Sequence, residues 1–274
     1  MKIIIFGERS NLSKHLKESI KNVSLVSSSD IRYINQVLSK FAKEEICLIM
    51  NQFQPSTRLN DFYKPEEYIT NSILLTSQIL EFCKYNPHRI KKIIYTSSSS
   101  VYGNNESCHE SDSLKPESLH ASLKLANEKL ISQFSSKYEI PFVIARIFNM
   151  YGGYDKFSII SKIINAINSK KTLKLINSGT AIRDYIHIQD VVCVYKALIG
   201  GSFTGILNIA SGKGASVIEL LDLLSQKGIK LKSTSIDQEE LSKSIANISK
   251  LEQLIDTKSF RDVKQHILAN INYE

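Results

Sequence analysis

Short apolar runs alternate with amphipathic stretches over the first two-thirds of the chain. Ile3–Phe6, Ser24–Ser27, Ile46–Met50, Ile93–Thr96 and Pro141–Ile147 are brief enough, and apolar enough, to be buried strands. Leu12–Ile20, Ile34–Lys43, Tyr68–Tyr85 and Leu119–Tyr138 between them carry a helical spacing. In the third of these the apolar positions are Ile69, Ile73, Leu74, Ile79, Leu80 and Phe82. Such alternation predicts an α/β fold: a doubly wound parallel sheet joined by right-handed crossovers. A ligand then belongs at the carboxyl ends of the strands, near the point where the strand order reverses. From about Tyr151 onward the helices Ile159–Ser169, Ile188–Ile199 and Val217–Gln226 are interspersed with short extended pieces. The expected organisation is a first domain over 1–150 and a small C-terminal α/β substrate lobe over 151–274, some of whose elements return to the first domain.

Composition narrows the class without changing this picture. With 274 residues, 42% hydrophobic and 23% charged, the chain is long enough to bury a substantial core. It has no apolar run of membrane-spanning length, and Met1–Gly7 reads as a strand leading into a turn, so no secretion signal is expected. Four cysteines (Cys47, Cys83, Cys108, Cys193) lack metal-ligand spacing and do not make a disulfide framework, so a cytoplasmic protein is expected. The net charge of +8 is spread over dispersed lysines with no aromatic-interleaved basic stripe. That speaks for a soluble surface or an anionic small ligand, and against nucleic acid.

Three segments carry candidate chemistry. After the first strand comes Gly7-Glu8-Arg9-Ser10-Asn11-Leu12-Ser13, a turn into a helix whose N-terminal amides suit a phosphate. Further on is Tyr95-Thr96-Ser97-Ser98-Ser99-Ser100-Val101-Tyr102-Gly103. It is followed, about twenty residues later, by Leu119-His120-Ala121-Ser122-Leu123-Lys124, which places His120 and Lys124 on one helix face. The third region holds Arg146-Ile147-Phe148-Asn149-Met150-Tyr151-Gly152 and Arg183-Asp184-Tyr185-Ile186-His187-Ile188-Gln189-Asp190-Val191.

Together these segments resemble the extended short-chain dehydrogenases that act on nucleotide-linked sugars, with a Rossmann-type sheet. The resemblance spans nearly the whole chain and includes Leu207-Asn208-Ile209-Ala210-Ser211-Gly212 and Ile248-Ser249-Lys250-Leu251. It implies NAD or NADP as cofactor and a nucleotide-diphosphate sugar as substrate. It implies catalytic roles for Ser98, His120 and Lys124, with His120 standing where the family has a Tyr; Tyr102 is another candidate acid/base group. Gly7, Ser10, Leu12, Asn71, Lys124 and Phe148 would hold the cofactor. Asp30 would meet the adenosine end, or Arg32 with the neighbouring serines would instead accept a 2′-phosphate, so NAD and NADP remain open. Ser99, Ser100, Asn149, Arg183 and Tyr185 would contact substrate. A homodimer through the helices Tyr68–Tyr85 and Leu119–Tyr138 would follow the family.

Several departures shape the functional reading. Ser10 and Ser13 replace glycines of the family's turn, and Asn51-Gln52-Phe53 replaces a pair of alanines. Ser99-Ser100 stands where dehydratases place Asp-Glu, which argues against dehydration. No Arg-x-x-Asp pair occurs between Lys232 and Ile245. The leading expectation is a 4-epimerase or 4-ketoreductase. The alternative is a non-catalytic member that binds a nucleotide or nucleotide sugar, and non-redox sugar chemistry by His120 is a third, weaker option.

Overall fold

The first apolar run forms β1 (Lys2–Phe6), of which four residues are buried. Gly7 leaves it at φ 93°, a conformation that favours glycine, and the chain enters α1 (Asn11–Ser19). β2 (Val23–Val26), α2 (Ile34–Ser39) and β3 (Ile46–Met50) follow, and all five residues of β3 are buried, as a central parallel strand requires. A helix begins as α3 (Pro65–Ile69), passes through a π turn (Thr70–Leu74) and continues as α4 (Leu75–Tyr85). β4 (Ile90–Ser98) ends in a 3₁₀ turn (Ser99–Tyr102), followed by β5 (Ser107–Cys108), α5 (Leu119–Lys137) and β6 (Phe142–Ile147). The remaining elements are β7 (Asn149–Tyr151), α6 (Ile159–Asn168), β8 (Leu173–Ile176), β9 (Ile182–His187), α7 (Ile188–Gly200) and β10 (Gly205–Ile209). Then come β11 (Gly214–Ser216), α8 (Val217–Gln226), β12 (Ser233–Ile236), β13 (Lys243–Ala246), α9 (Ser249–Leu254) and α10 (Val263–Asn270). The computed structural model describes residues 1–27, 33–41, 43–51 and 65–272.

The periodicity locates β1–β4, β6, α1, α2 and α4–α8, with some limits misplaced, and does not single out β5, β7–β13, α9 or α10. α2 stops at Ser39 instead of Lys43, and β4 extends beyond Ile93–Thr96 at both ends. The long helix starts at Pro65 and contains the π turn, which a 3.6-residue pattern does not reveal.

Contacts divide the chain into two units. One comprises Met1–Gly103, Ser113–Arg146 and Tyr195–Leu207; the other comprises Asn104–Asp112, Ile147–Val194 and the residues from Asn208 onward. In the first unit the main sheet has the order β10-β6-β4-β3-β1-β2, with β1 parallel to both β2 and β3. The order therefore reverses beside β1, where α1 starts. Its core contains Ile4, Phe6, Leu48, Ile79, Ile93, Ile131 and Ile144. Lys92 is buried, and its Nζ donates to the carbonyls of Leu198 and Gly201, closing the end of α7.

The second unit has a five-stranded sheet, β11-β9-β13-β5 with β7 also paired to β9, and the two-stranded pair β12-β8. Tyr151, Ile160, Ile163, Leu175, Leu220 and Ile267 lie in its apolar core. Among the described residues no helix is long and apolar enough to cross a membrane, and no cluster of His, Cys, Asp or Glu is arranged to hold a metal.

Close approach dictates the glycine at the end of the 3₁₀ turn. Gly103 ends the 3₁₀ turn at φ 62°, and a Cβ there would lie 1.9 Å from the Lys115 carbonyl oxygen. Gly103→Ala is expected to cost about 3 kcal/mol in stability, read by chemical denaturation. An unchanged midpoint would show that the turn relaxes freely.

Candidate active site and nucleotide-binding residues

In the first unit the turn after β1 begins at Gly7, whose amide donates to the Val26 carbonyl. Ser10 is the N-cap of α1, and its Oγ accepts from the Ser13 amide at 3.0 Å. Ser10 Oγ also donates to Ser13 Oγ at 2.9 Å, and Asn51 Nδ2 donates to both hydroxyl oxygens at 2.6 and 2.8 Å. The departures at 10, 13 and 51 are thus one hydrogen-bonded cluster, which separate inspection of each position did not suggest. Ser13 and Asn51 are fully buried, and Asn51 Oδ1 has no partner among the described residues. The turn retains the positive φ at Gly7 and a helix start with no acidic residue in its first turn. The glycine turn and the start of α1 fit the phosphates of a dinucleotide. Leu12 is wholly buried in the core, so its main-chain amide is what it can offer a phosphate. Asp30, Arg32 and the Gln52-Phe53 positions lie outside the described residues.

At the carboxyl end of β4, Lys124 reaches in from α5. Its Nζ donates to the Thr96 carbonyl at 2.7 Å and lies 5.0 Å from the centre of the Tyr95 ring. It is only 4% exposed, and burial draws its pKa down to about 7, against the opposing pull of the Glu128 carboxylate. His120, one turn earlier, is partly buried; burial and then the Lys124 ammonium lower its pKa to about 4. A neutral imidazole therefore stands at the position expected to handle the proton. Ser98 Oγ accepts from the Ser100 amide at 3.2 Å and from Ser100 Oγ at 3.0 Å. With its oxygen used as an acceptor, Ser98 keeps its own hydrogen to donate. Ser99 and Ser100 lie in the 3₁₀ turn, which packs against α5. Asn71 is exposed on the π turn, and its neighbour Ser72 is the buried residue, accepting from Asn127 Nδ2 at 2.8 Å.

The sequence reading missed the group that holds α5 in place. Glu128, four residues after Lys124, receives Arg146 at both carboxylate oxygens, with Nε to Oε1 at 3.1 Å and NH2 to Oε2 at 2.7 Å. Ser97 Oγ donates to the same carboxylate. Arg146, 2% exposed, also donates from NH1 to Tyr102 Oη at 3.0 Å and stacks on that ring. Tyr102 is therefore a buried partner of Arg146, which removes it as a free acid/base candidate. The spacing Lys124–Glu128 on one face was the available signal.

In the second unit Asp184 is fully buried and accepts from the amides of Ser211, Gly212 and Ala246 and from Ser211 Oγ. Burial raises its pKa, opposed by those donors. Its neighbour Arg183 is half-buried and pairs with Glu240, NH2 to Oε2 at 3.1 Å. Asn149 Nδ2 donates to the Asp184 carbonyl at 3.0 Å, tying β7 to β9. Tyr185 and Phe148 are buried, and Phe148 N donates to the Ile209 carbonyl. Arg183, Asn149 and Asp184 are thus gathered along β9.

The description "NAD dependent epimerase/dehydratase family" matches residues 3–210, well over half of the chain. The protein belongs to that family. Among curated relatives, a dTDP-D-glucose 4,6-dehydratase of Dictyostelium discoideum is 28% identical over 187 residues, covering 62% of this chain and 42% of that protein's length. An uncharacterised UDP-glucose epimerase of Bacillus subtilis, YtcB, is 29% identical over 213 residues, covering 75% of this chain and 67% of that protein. The solved UDP-glucuronic acid 4-epimerase of Bacillus cereus, in complex with UDP-glucuronic acid and NAD, superposes with a TM-score of 0.84 at 23% identity, over 98% of each chain. That structural likeness speaks to the fold, and it agrees with the parallel six-stranded sheet.

Two outcomes follow from this geometry. The His120 ring is expected to stay neutral from pH 8 down to about pH 4 in a histidine NMR titration; a midpoint at or above the ordinary imidazole value would contradict its placement. Arg146→Met, which strands a buried carboxylate, is expected to destabilise the protein by about 3–5 kcal/mol, and adding Glu128→Leu to recover much of that loss in denaturant melts. Equal losses for single and double variants would show that the ion pair is not the determinant.

Proposed function

We propose that the protein is an NAD(P)-dependent nucleotide-sugar 4-epimerase or 4-ketoreductase whose proton is handled by a His–Lys pair. The observation that carries this reading is Lys124, fixed on the Thr96 carbonyl with its pKa drawn to about 7, one helical turn from a neutral His120. When bound, the nicotinamide supplies the carbon that takes or returns hydride. Gly7, Ser10, Leu12, Asn71, Lys124 and Phe148 hold the cofactor. By residue type Asp30 suits an unmodified adenosine ribose and Arg32 a 2′-phosphate, which leaves both NAD and NADP open.

Ser98 donates its hydroxyl hydrogen to the reacting sugar oxygen. His120 takes the sugar hydroxyl proton on its basic ring nitrogen, directly or through a water, and returns it on reduction. A protonated ring beside a protonated Lys124 is disfavoured, so near neutral pH the pair holds at most one ionising proton, on Lys124. Asn149, Arg183 and Tyr185, with Ser99 and Ser100, bind the nucleotide-diphosphate sugar. Hydride removal, rotation of the keto sugar and hydride return give epimerisation; a single delivery gives reduction. Membership of the NAD-dependent family supports this reading, as do relatives whose names describe sugar epimerases and dehydratases. A cytoplasmic homodimer is the working form under this proposal.

Calorimetry of the purified protein with NAD and with NADP is expected to show saturable binding of at least one. A panel of nucleotide-linked hexoses followed by NMR is expected to show inversion at C4 or carbonyl reduction. Absence of any dinucleotide binding would end this reading. His120→Tyr is expected to change turnover by on the order of tenfold and to move the pH profile; an active enzyme indifferent to that change would exclude His120 as the proton carrier.

A further inference from the structure

The Arg183 side chain already holds an anion supplied by the chain itself. Glu240 lies on the connection between β12 and β13, and its two oxygens are divided between two donors: Oε2 receives Arg183 NH2 at 3.1 Å and Oε1 receives Asn177 Nδ2 at 3.1 Å. The second guanidinium arm, NH1, donates to the Ile182 carbonyl at 3.0 Å. Arg183 is anchored in β9, where it is paired in register with Ala215 and Ser244, so its base does not shift. The segment bearing Glu240 is exposed from Asp237 to Glu239. It is clasped through Asn177, whose Nδ2 donates to the Gln238 carbonyl at 2.6 Å and whose Oδ1 accepts from the Gln238 amide at 3.0 Å. Exposed backbone held by a few polar contacts is the kind that opens locally at small cost.

We propose that Glu240 is an internal stand-in for the substrate's diphosphate, and that binding proceeds by exchange. The phosphate oxygens take the Arg183 NH2 and Asn177 Nδ2 donors while the Glu240 carboxylate swings into water. This rests on the reading of Arg183 as a diphosphate-binding residue and adds Asn177 as a second donor, on an element that the sequence reading did not single out. The chemistry favours the exchange in one direction only for a strong anion. A monoanionic carboxylate pairs one-to-one with the guanidinium, whereas a diphosphate offers more charge and more acceptor oxygens to the same fork. Glu240 therefore sets a threshold: ligands with a diphosphate displace it, and a nucleoside or free sugar leaves the strap closed. No bond is made or broken in the exchange.

The test is calorimetry with UDP on the full chain and on Glu240→Gln, Arg183→Gln and the double variant, each checked for folding by circular dichroism. Gln keeps a hydrogen-bond acceptor for Asn177 and removes the competing charge. UDP is expected to bind Glu240→Gln about tenfold more tightly than wild type, and the Glu240→Gln effect is expected to vanish when Arg183 is also Gln. In parallel, UDP is expected to accelerate amide hydrogen exchange across 237–242 of the wild-type protein, while uridine does not. Equal affinity of wild type and Glu240→Gln, with UDP bound by both, overturns the exchange and leaves the nucleotide-sugar reading standing. Weaker binding by Glu240→Gln also overturns it, because Glu240 would then be touching the ligand. Failure of every form, Glu240→Gln included, to bind UDP overturns both the exchange and the reading of Arg183 on which it rests.

Discussion

The Glu128 carboxylate is the constraint on which the candidate chemistry depends. It gathers Arg146 from β6, Ser97 from β4 and its own helix α5 around a single buried charge. A buried charge of this kind is tolerable only when its lone pairs are filled, so the three elements have little freedom to slide past one another. Ser98 follows Ser97 directly, and Lys124 and His120 precede Glu128 by one and two turns of the same helix. The register that satisfies Glu128 is thus the register that positions the candidate groups. Lys124 adds a second fixing point through the Thr96 carbonyl. Its proximity to Glu128 also tempers the loss of basicity that burial imposes.

A recurring arrangement is that the chain provides its own partners at positions where a ligand is expected. Ser10 caps the Ser13 amide, which removes one donor from the start of α1, and Asn51 fills the room beside both serines. Arg183 holds Glu240 in the same way. Preorganised internal contacts keep polar groups satisfied, but any ligand must then compete with a hydrogen bond already made instead of with water alone.

Much of the fold was legible because local and global signals agree. Apolar runs of strand length, Ser at the N-caps of α1, α5, α6 and α8, and glycine at forced turns all point to the same architecture. The candidate groups on β4 and α5 were legible for the same reason, since helical spacing alone puts His120 and Lys124 together. What escaped notice depends on long-range contact. Asn51 meets Ser10 and Ser13 across some forty positions, and Glu240 meets Arg183 across fifty-seven. Asn71 is exposed and Ser72 buried at a π turn, where one extra residue per turn rotates the face that a regular helix would present. Tyr102 looked chemically able, but its hydroxyl is engaged by Arg146, a fact that only packing decides.

The serine–asparagine cluster at the first turn also bears on how this sequence can change over time. The three side chains are hydrogen-bonded to one another, with Ser13 and Asn51 buried and Ser10 partly so. Replacing any one by a small residue leaves its partners short of a contact, so single steps toward a glycine-rich turn pass through less stable proteins even if the end point is sound. The cluster therefore acts as a ratchet: three interdependent positions change more easily together than one at a time.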